Sequence, residues 1–138
     1  MTWNSRSEPL TVRGYGSTGE GYGSFYISTR RDGTRYRFSV IQRIQRADDE
    51  HAVYANVEYW SNTGICFSPP WLSCNVPYQR HATDVTSRYT KSTWKSFYES
   101  APIDAYANYH RGKVRMRLDI PWRWDPASAW TVTNGIEY

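Results

Sequence analysis

The sequence contains few of the residues that would indicate a metal centre or a membrane protein. Only 2 cysteines and 3 histidines occur among 138 residues, and no Cys or His stands at zinc-ligand spacing beside the cysteine pair. No hydrophobic run approaches the length of a membrane span, and no apolar segment of the signal-peptide type follows Met1. We therefore expect no metal, no cofactor and no membrane span.

Sustained helical periodicity is also missing, whereas aromatic residues are abundant. They make up 17% of the chain, with 12 Tyr, 7 Trp and 4 Phe, and this composition favours strands. About seven short strands with turn signals between them predict an all-β protein of antiparallel sheets. A small β-sandwich is the leading architecture, and a small β-barrel is the alternative.

The segment around Asp32-Gly33 gives the clearest local prediction. Residues 25–30 and 35–40 flank Arg31-Asp32-Gly33-Thr34, and Asp-Gly is the preferred centre of a two-residue hairpin turn. This turn predicts a register with the apolar side chains on one face. The predicted pairs on that face are Thr29–Tyr36, Ile27–Phe38 and Phe25–Val40, and those on the opposite face are Arg30–Arg35 and Ser28–Arg37.

Alternating patterns predict the other strands. Residues 82–89, 92–99 and 129–133 are expected to form short strands, and the segments 105–109 and 113–120 are expected to form a second hairpin around His110-Arg111-Gly112. Two strands are predicted to direct their apolar residues to one face: Val53, Ala55, Val57 and Tyr59 in 52–60, and Val114, Met116, Leu118 and Ile120 in 113–120.

The first 24 residues differ in composition from the rest. They are polar and glycine-rich, and the unit Gly-Tyr-Gly occurs at 14–16 and again at 21–23. We expect residues 1–24 to form a flexible arm with one early strand near 10–13, and residues 25–138 to form the β-sandwich domain. Tyr15 and Tyr22 of the arm are candidate binding residues.

The two cysteines, Cys66 and Cys74, bracket a short proline-containing loop. A disulfide that closes this loop is the simplest use of the pair and implies an oxidising compartment, and hence secretion. The alternative is two free thiols. Trp71 follows Pro69-Pro70 within the loop, where it could anchor a partner or plug one end of the sandwich.

Basic and aromatic residues supply the remaining candidates for binding. Arg30, Arg35 and Arg37 share the outer face of the first predicted hairpin, and on the second the register sets Tyr106 beside Arg117 and Asn108 beside Arg115. Such faces can bind an acidic or planar partner, or they can be solvated faces that discourage aggregation. Trp122 and Trp124 share one face if their segment is extended, where they could stack on sugar rings or cap the core.

Three segments, 21–31, 47–54 and the cysteine loop, together resemble small secreted proteins of actinobacteria. Among these are the small adaptor subunits of umbrella-shaped polymorphic toxin particles. The resemblance implies a β-sandwich adaptor that joins a repeat-bearing toxin subunit to a lectin-like subunit through added strands. It implies no catalytic residues.

Together these observations predict a secreted, non-catalytic binding protein, with a protein–protein adaptor as the first hypothesis. Its partners would be other secreted proteins, bound by strand addition or through a basic and aromatic surface. A carbohydrate- or cell-surface-binding module is the alternative, and a small hydrolase or transferase is a third. The net charge is +4, but the basic residues are scattered and no nucleic-acid-binding motif is present, so nucleic acid is not an expected partner.

Overall fold

The computed structural model describes residues 1–62 and 77–137, and these residues form nine strands in two antiparallel sheets. The first sheet has the order β1-β3-β4-β7, with β2 also paired to β3, and the second has the order β6-β5-β8-β9. The strands are β1 (Thr2–Trp3), β2 (Leu10–Gly14), β3 (Ser17–Arg30), β4 (Gly33–Gln45), β5 (Ala52–Asn62), β6 (Gln79–Val85), β7 (Lys95–Pro102), β8 (Tyr109–Asp119) and β9 (Thr131–Glu137).

The all-β sandwich is thereby confirmed. The two sheets stay separate within the described residues, so the alternative of a closed barrel is wrong. The described residues include no helix long and apolar enough to cross a membrane. Cys66, Cys74 and Trp71 lie outside the described residues, as does the predicted disulfide.

The core lies between the sheets and is built from alternating residues on their facing sides. The predicted inward residues of β5 and β8 are all confirmed, because none is more than 4% exposed. The first sheet contributes Phe25, Phe38 and Val40, each at most 1% exposed. Phe25 and Phe38 pack with their ring centroids 4.8 Å apart, so the aromatic content of the chain supplies much of the buried surface.

The predicted first hairpin forms, but its register differs by two residues. The turn is centred on Arg31 and Asp32, so that Arg30 lies opposite Gly33. A primed turn of either type centred on Asp32 and Gly33 needs a positive φ at Asp32, and of these two residues only Gly33 has one, at +94°. Because the shift is an even number, the apolar residues keep the predicted face. The observed pairs are Thr29–Thr34, Ser28–Arg35, Ile27–Tyr36, Tyr26–Arg37 and Phe25–Phe38.

Residues 1–24 are not a flexible arm. They form β1, β2 and the first half of β3, and Trp3 and Val12 are each 3% exposed. The glycines of β3 are packing positions: a Cβ on Gly19 would lie 2.7 Å from Val53 Cγ2 of the second sheet, and one on Gly21 would collide with the Met116 side chain. The glycine-rich composition therefore reflects close packing of the two sheets rather than flexibility.

The predicted second hairpin does not form, because residues 109–119 are one continuous strand. Gly112 lies within this strand, where a Cβ would stand 2.6 Å from Phe25 Cγ, so glycine is needed there for the Phe25 ring and not for a turn. Residues 105–108 form a turn before β8, in which Ala107 N donates to Asp104 O at 3.1 Å. Arg115 and Arg117 consequently lie opposite residues of β5, and not opposite Asn108 and Tyr106.

The short predicted strands are observed with shifted bounds. Residues predicted at 82–89 and 92–99 appear as β6 and β7, and β7 pairs with β4 of the first sheet whereas β6 pairs with β5 of the second. The last predicted strand, 129–133, is observed as β9. β6 and β7 are thus edge strands of different sheets.

Candidate functional site

A loop after β8 projects two tryptophans from one end of the sandwich, and Asp125 anchors it. Its Oδ2 accepts a hydrogen bond from the Tyr54 hydroxyl at 2.5 Å, and its Oδ1 accepts one from Ile120 N at 3.4 Å. The backbone oxygen of Asp125 accepts a hydrogen bond from Arg117 Nη2 at 3.0 Å. Burial and the bond to Asp125 raise the pKa of Tyr54 to about 12, which keeps its hydroxyl a donor.

The loop also packs against the neighbouring turn between β2 and β3. A Cβ on Gly14 would lie 2.6 Å from Pro126 Cγ, so glycine at this position lets Pro126 lie directly on the strand. The turn itself is formed by Tyr15 and Gly16, whose φ angles are +51° and +80°. Positive φ at both central residues is typical of a type I′ hairpin turn, which places Tyr15 beside the loop.

Trp122 and Trp124 are almost entirely exposed, at 99% and 92% of their surface. Trp122 also has a φ of +62°, a conformation that bulky residues rarely adopt. Strained backbone of this kind is concentrated at functional sites. The interpretation of these two tryptophans as a core cap is therefore wrong, and the candidate binding role is the one that fits their exposure.

We call the four residues Tyr15, Trp122, Arg123 and Trp124 the aromatic tip. They line an open cleft of about 380 Å³, and the Arg123 guanidinium lies 5.5 Å from the centre of the Tyr15 ring. Three exposed or half-exposed rings with one cation offer broad apolar contact together with hydrogen-bond donors. Sequence reasoning assigned Tyr15 to a mobile arm and overlooked Arg123, since only the fold brings residues 15 and 122–124 together.

The arginines predicted to form a basic cluster on the first hairpin have hydrogen-bond partners within the chain. Arg37 is 8% exposed and donates to Asp32 Oδ1 at 2.9 Å and to Ser28 Oγ at 2.6 Å, and its hydrogen bond lowers the pKa of Asp32. Arg35 donates to the Ser100 backbone oxygen at 3.0 Å. Arg30 donates to the Tyr26 hydroxyl at 3.2 Å. These contacts give the three arginines structural partners.

A second basic surface lies on the outer side of β8, and we call its four cations the basic row: Arg111, Lys113, Arg115 and Arg117. The predicted outward alternation of this strand is confirmed by the inward position of its apolar residues. Sequence reasoning named Arg115 and Arg117 as binding residues and did not name Arg111 or Lys113. Tyr106 is 82% exposed on the turn before β8, and Tyr22 lies on the first sheet, 5.1 Å from the Trp94 ring.

Titratable groups in the interior form a closed network. The Tyr59 hydroxyl lies 2.5 Å from His110 Nδ1 and accepts a hydrogen bond from Asp104 N at 3.2 Å. Burial raises the pKa of Tyr59 to about 12 and lowers the pKa of His110. Both side chains are 0% exposed, so this network connects β5 with β8 inside the second sheet and is not reached by a solute.

A pair of carboxyl groups, Asp84 on β6 and Glu99 on β7, joins the two sheets at one edge. Burial raises the pKa of Glu99 to about 7, and a hydrogen bond with Asp84 adds to the shift. Asp84 Oδ1 also accepts a hydrogen bond from Val85 N at 2.8 Å. Among the side chains that the structure describes, in residues 1–62 and 77–133, no three of His, Cys, Asp or Glu lie together in a way that could hold a metal ion.

The chain matches no protein-family model, and no curated protein matches it.

Proposed function

We propose that the protein is a secreted, non-catalytic adaptor that binds a partner protein through the aromatic tip. The observation that carries the proposal is the near-complete exposure of Trp122 and Trp124 on a loop anchored by Asp125. Trp, Tyr and Arg dominate the energetics of protein interfaces. An anchored loop loses little conformational entropy on docking, which favours affinity.

In this proposal the partner is bound by the aromatic tip and not by a strand donated from the N-terminal segment. Residues 2–3, 10–14 and 17–24 already pair within the first sheet, so they offer no unpaired strand to a partner. Secretion belongs to the proposal because of the spacing of Cys66 and Cys74. The partner would be another protein of the same extracellular assembly.

The test compares a tip variant with an equally aromatic control. Immobilised wild-type protein, the Trp122→Ala/Trp124→Ala variant and a Tyr98→Ala/Tyr106→Ala control are exposed to the secreted proteins of the producing cells. Tyr98 and Tyr106 are 72% and 82% exposed and lie outside the tip. Captured proteins are identified by mass spectrometry, purified and titrated against each variant by calorimetry.

We expect the partner's Kd to rise at least about 30-fold for the tip variant, since a hot-spot tryptophan contributes about 2 kcal/mol or more. The control should bind as the wild type does. The melting temperature should change little in either case, because the removed side chains are in solvent. An unchanged Kd for the tip variant would refute the assignment.

Carbohydrate binding is the second candidate, and the cleft of the aromatic tip favours it. A volume of about 380 Å³ lined by three aromatic rings is within the range of small-ligand sites. A glycan array probed with the wild type and with Trp124→Ala separates the two candidates. Glycan binding that disappears in Trp124→Ala would favour this function over protein docking.

A further inference from the structure

The basic row is a regular line of charge along one strand. Side chains two residues apart point to the same face of a sheet, so the four cations are spaced about 6.6–6.8 Å apart and span about 20 Å. The strand pairs on both sides, with β5 and β9, so the row lies in the middle of the second sheet. Its last member, Arg117, donates to Asp125 O of the tip loop.

Each cation of the basic row lies against an aromatic ring supplied by another part of the chain. Contact with a ring face is favourable for a cation and restricts its long side chain, so the charges are held in place on the sheet. The distances to the ring centres are 3.9 Å for Arg111 over Tyr78, 3.9 Å for Lys113 over Trp60, 4.5 Å for Arg115 over Trp130 and 5.9 Å for Arg117 over Tyr54.

Two carboxylates of the described residues adjoin the row: Glu58 lies opposite Lys113 on β5, and Asp119 follows Arg117 on the same face of β8. The ion pairs of this face lie beside the row, Arg80 with Glu58 and Arg88 with Asp119, each at 3.3 Å. Within the part of the chain that the structure describes, no cation of the row takes part in an ion pair. Four like charges held this close repel one another, and an anionic partner would relieve that repulsion.

We propose that the basic row binds a linear phosphodiester polymer without aromatic bases, extended along β8. An extended polyanion can place one charge against each cation of an evenly spaced row. Three of the four cations are arginines, whose planar donors suit phosphate. Single-stranded nucleic acid is less suited, because its binding relies on bases stacking on aromatic side chains, and each ring here already has a cation against it. This inference concerns a different face from the aromatic tip and goes beyond the adaptor function.

The test uses a fluorescent poly(glycerol phosphate) oligomer as the probe, titrated with protein at several salt concentrations. The row variant is Lys113→Gln/Arg115→Gln. The control is Arg31→Gln/Lys91→Gln, which removes the same charge from two exposed positions off this face. Lys113→Gln alone is a milder second variant, and circular dichroism and melting curves verify that each variant is folded.

The expected results follow from counterion release, which for single-stranded polyanions contributes a slope of about −0.7 per cation to log K against log salt. The wild type should give a slope of about −2.8, Lys113→Gln about −2.1 and the row variant about −1.4. At about 0.1 M salt the row variant should bind about 25-fold more weakly than the wild type. The control and the Trp122→Ala/Trp124→Ala variant should bind as the wild type does.

Two results would overturn the proposal. If the row variant and the charge control lose affinity equally, the attraction comes from the net charge of the protein and not from the row. If an oligo-dT strand with the same number of phosphates binds as tightly as the probe or more tightly, the face recognises nucleic acid.

Discussion

We expect the stability of this protein to fall between mildly acidic and neutral pH because of Glu99. Its side chain faces the interior edge between the sheets, because Glu99 lies opposite the buried Phe38 in the first sheet. There it hydrogen-bonds Asp84 of the second sheet, and its pKa is raised from 4.5 to about 7, first by burial and then by Asp84. The charges of both carboxyl groups also raise the pKa of the nearby Tyr36, after the larger effect of burial. Replacing Glu99 by Gln keeps a hydrogen-bond donor for Asp84 and removes the ionisation.

The direction of this pH dependence follows from proton binding in the folded and unfolded states. In the unfolded chain Glu99 ionises near its ordinary pKa of 4.5, whereas in the folded protein it holds its proton to about pH 7. Between these values the folded state binds more protons, so the free energy of unfolding decreases as the pH rises. A shift of this size corresponds to an upper limit of about 3.4 kcal/mol. Solvent screening of a partly exposed group reduces this to about 1–2 kcal/mol.

The assay is urea unfolding of the wild type and Glu99→Gln at pH values from 4.5 to 8.5. The variant should gain about 1–2 kcal/mol relative to the wild type at pH 8 and should lose that advantage towards pH 4.5. His110, whose lowered pKa makes stability fall with acidity, contributes equally to both proteins and cancels in the difference. Glu8→Gln, at an exposed position, is the control and should follow the wild type. Parallel curves for the wild type and Glu99→Gln would refute the raised pKa of Glu99.

Three further substitutions test the packing and the site. Gly23→Ala would push a methyl group into the backbone oxygen of Ser39; we expect a loss of at least about 3 kcal/mol, and a normal melting temperature would contradict this packing. Asp125→Ala should cost about 1–2 kcal/mol and should speed amide exchange in residues 122–125, and unchanged exchange would mean that Asp125 does not anchor the loop. Tyr59→Phe removes the hydroxyl that hydrogen-bonds His110 Nδ1 and should cost about 1–3 kcal/mol in urea unfolding, and a neutral result would argue against that hydrogen bond.

The fold class could be predicted because the strongest signals in the sequence are local. The alternation in β5 and β8 and the turn signal near Asp32 each depend on a few adjacent residues. Gly112 shows where local reasoning fails. Its neighbours make it resemble a turn, but the residue is fixed by the Phe25 ring, which comes from a distant strand of the other sheet. Likewise the glycines of residues 1–24 predict flexibility, although the side chains that pack against them lie in the second sheet.

The candidate site was predicted in its residue types but not in its arrangement. Trp122 and Trp124 stand out by composition, and nothing adjacent to them decides between core and solvent. Their exposure follows from how the loop is anchored: Asp125 accepts a hydrogen bond from Tyr54, and Pro126 packs on Gly14. The basic row is similar. Alternation predicts that Lys113, Arg115 and Arg117 point outward, but Arg111 falls in the predicted turn, and the rings beneath the cations come from β5 and from residues just before β6 and β9.

The order of the strands has a consequence for how the chain folds. β3 and β4 are neighbours in sequence and can pair within about 1–10 μs. However, β4 must also pair with β7, and β5 must pair with β8. Both pairings join distant parts of the chain, as in Tyr36–Ala101 and Asn56–Arg115. Proteins dominated by such distant pairing fold in about milliseconds to seconds. During that interval the apolar side of β5 is uncovered and can associate with other chains. Refolding yield should therefore depend on protein concentration more than on the time allowed.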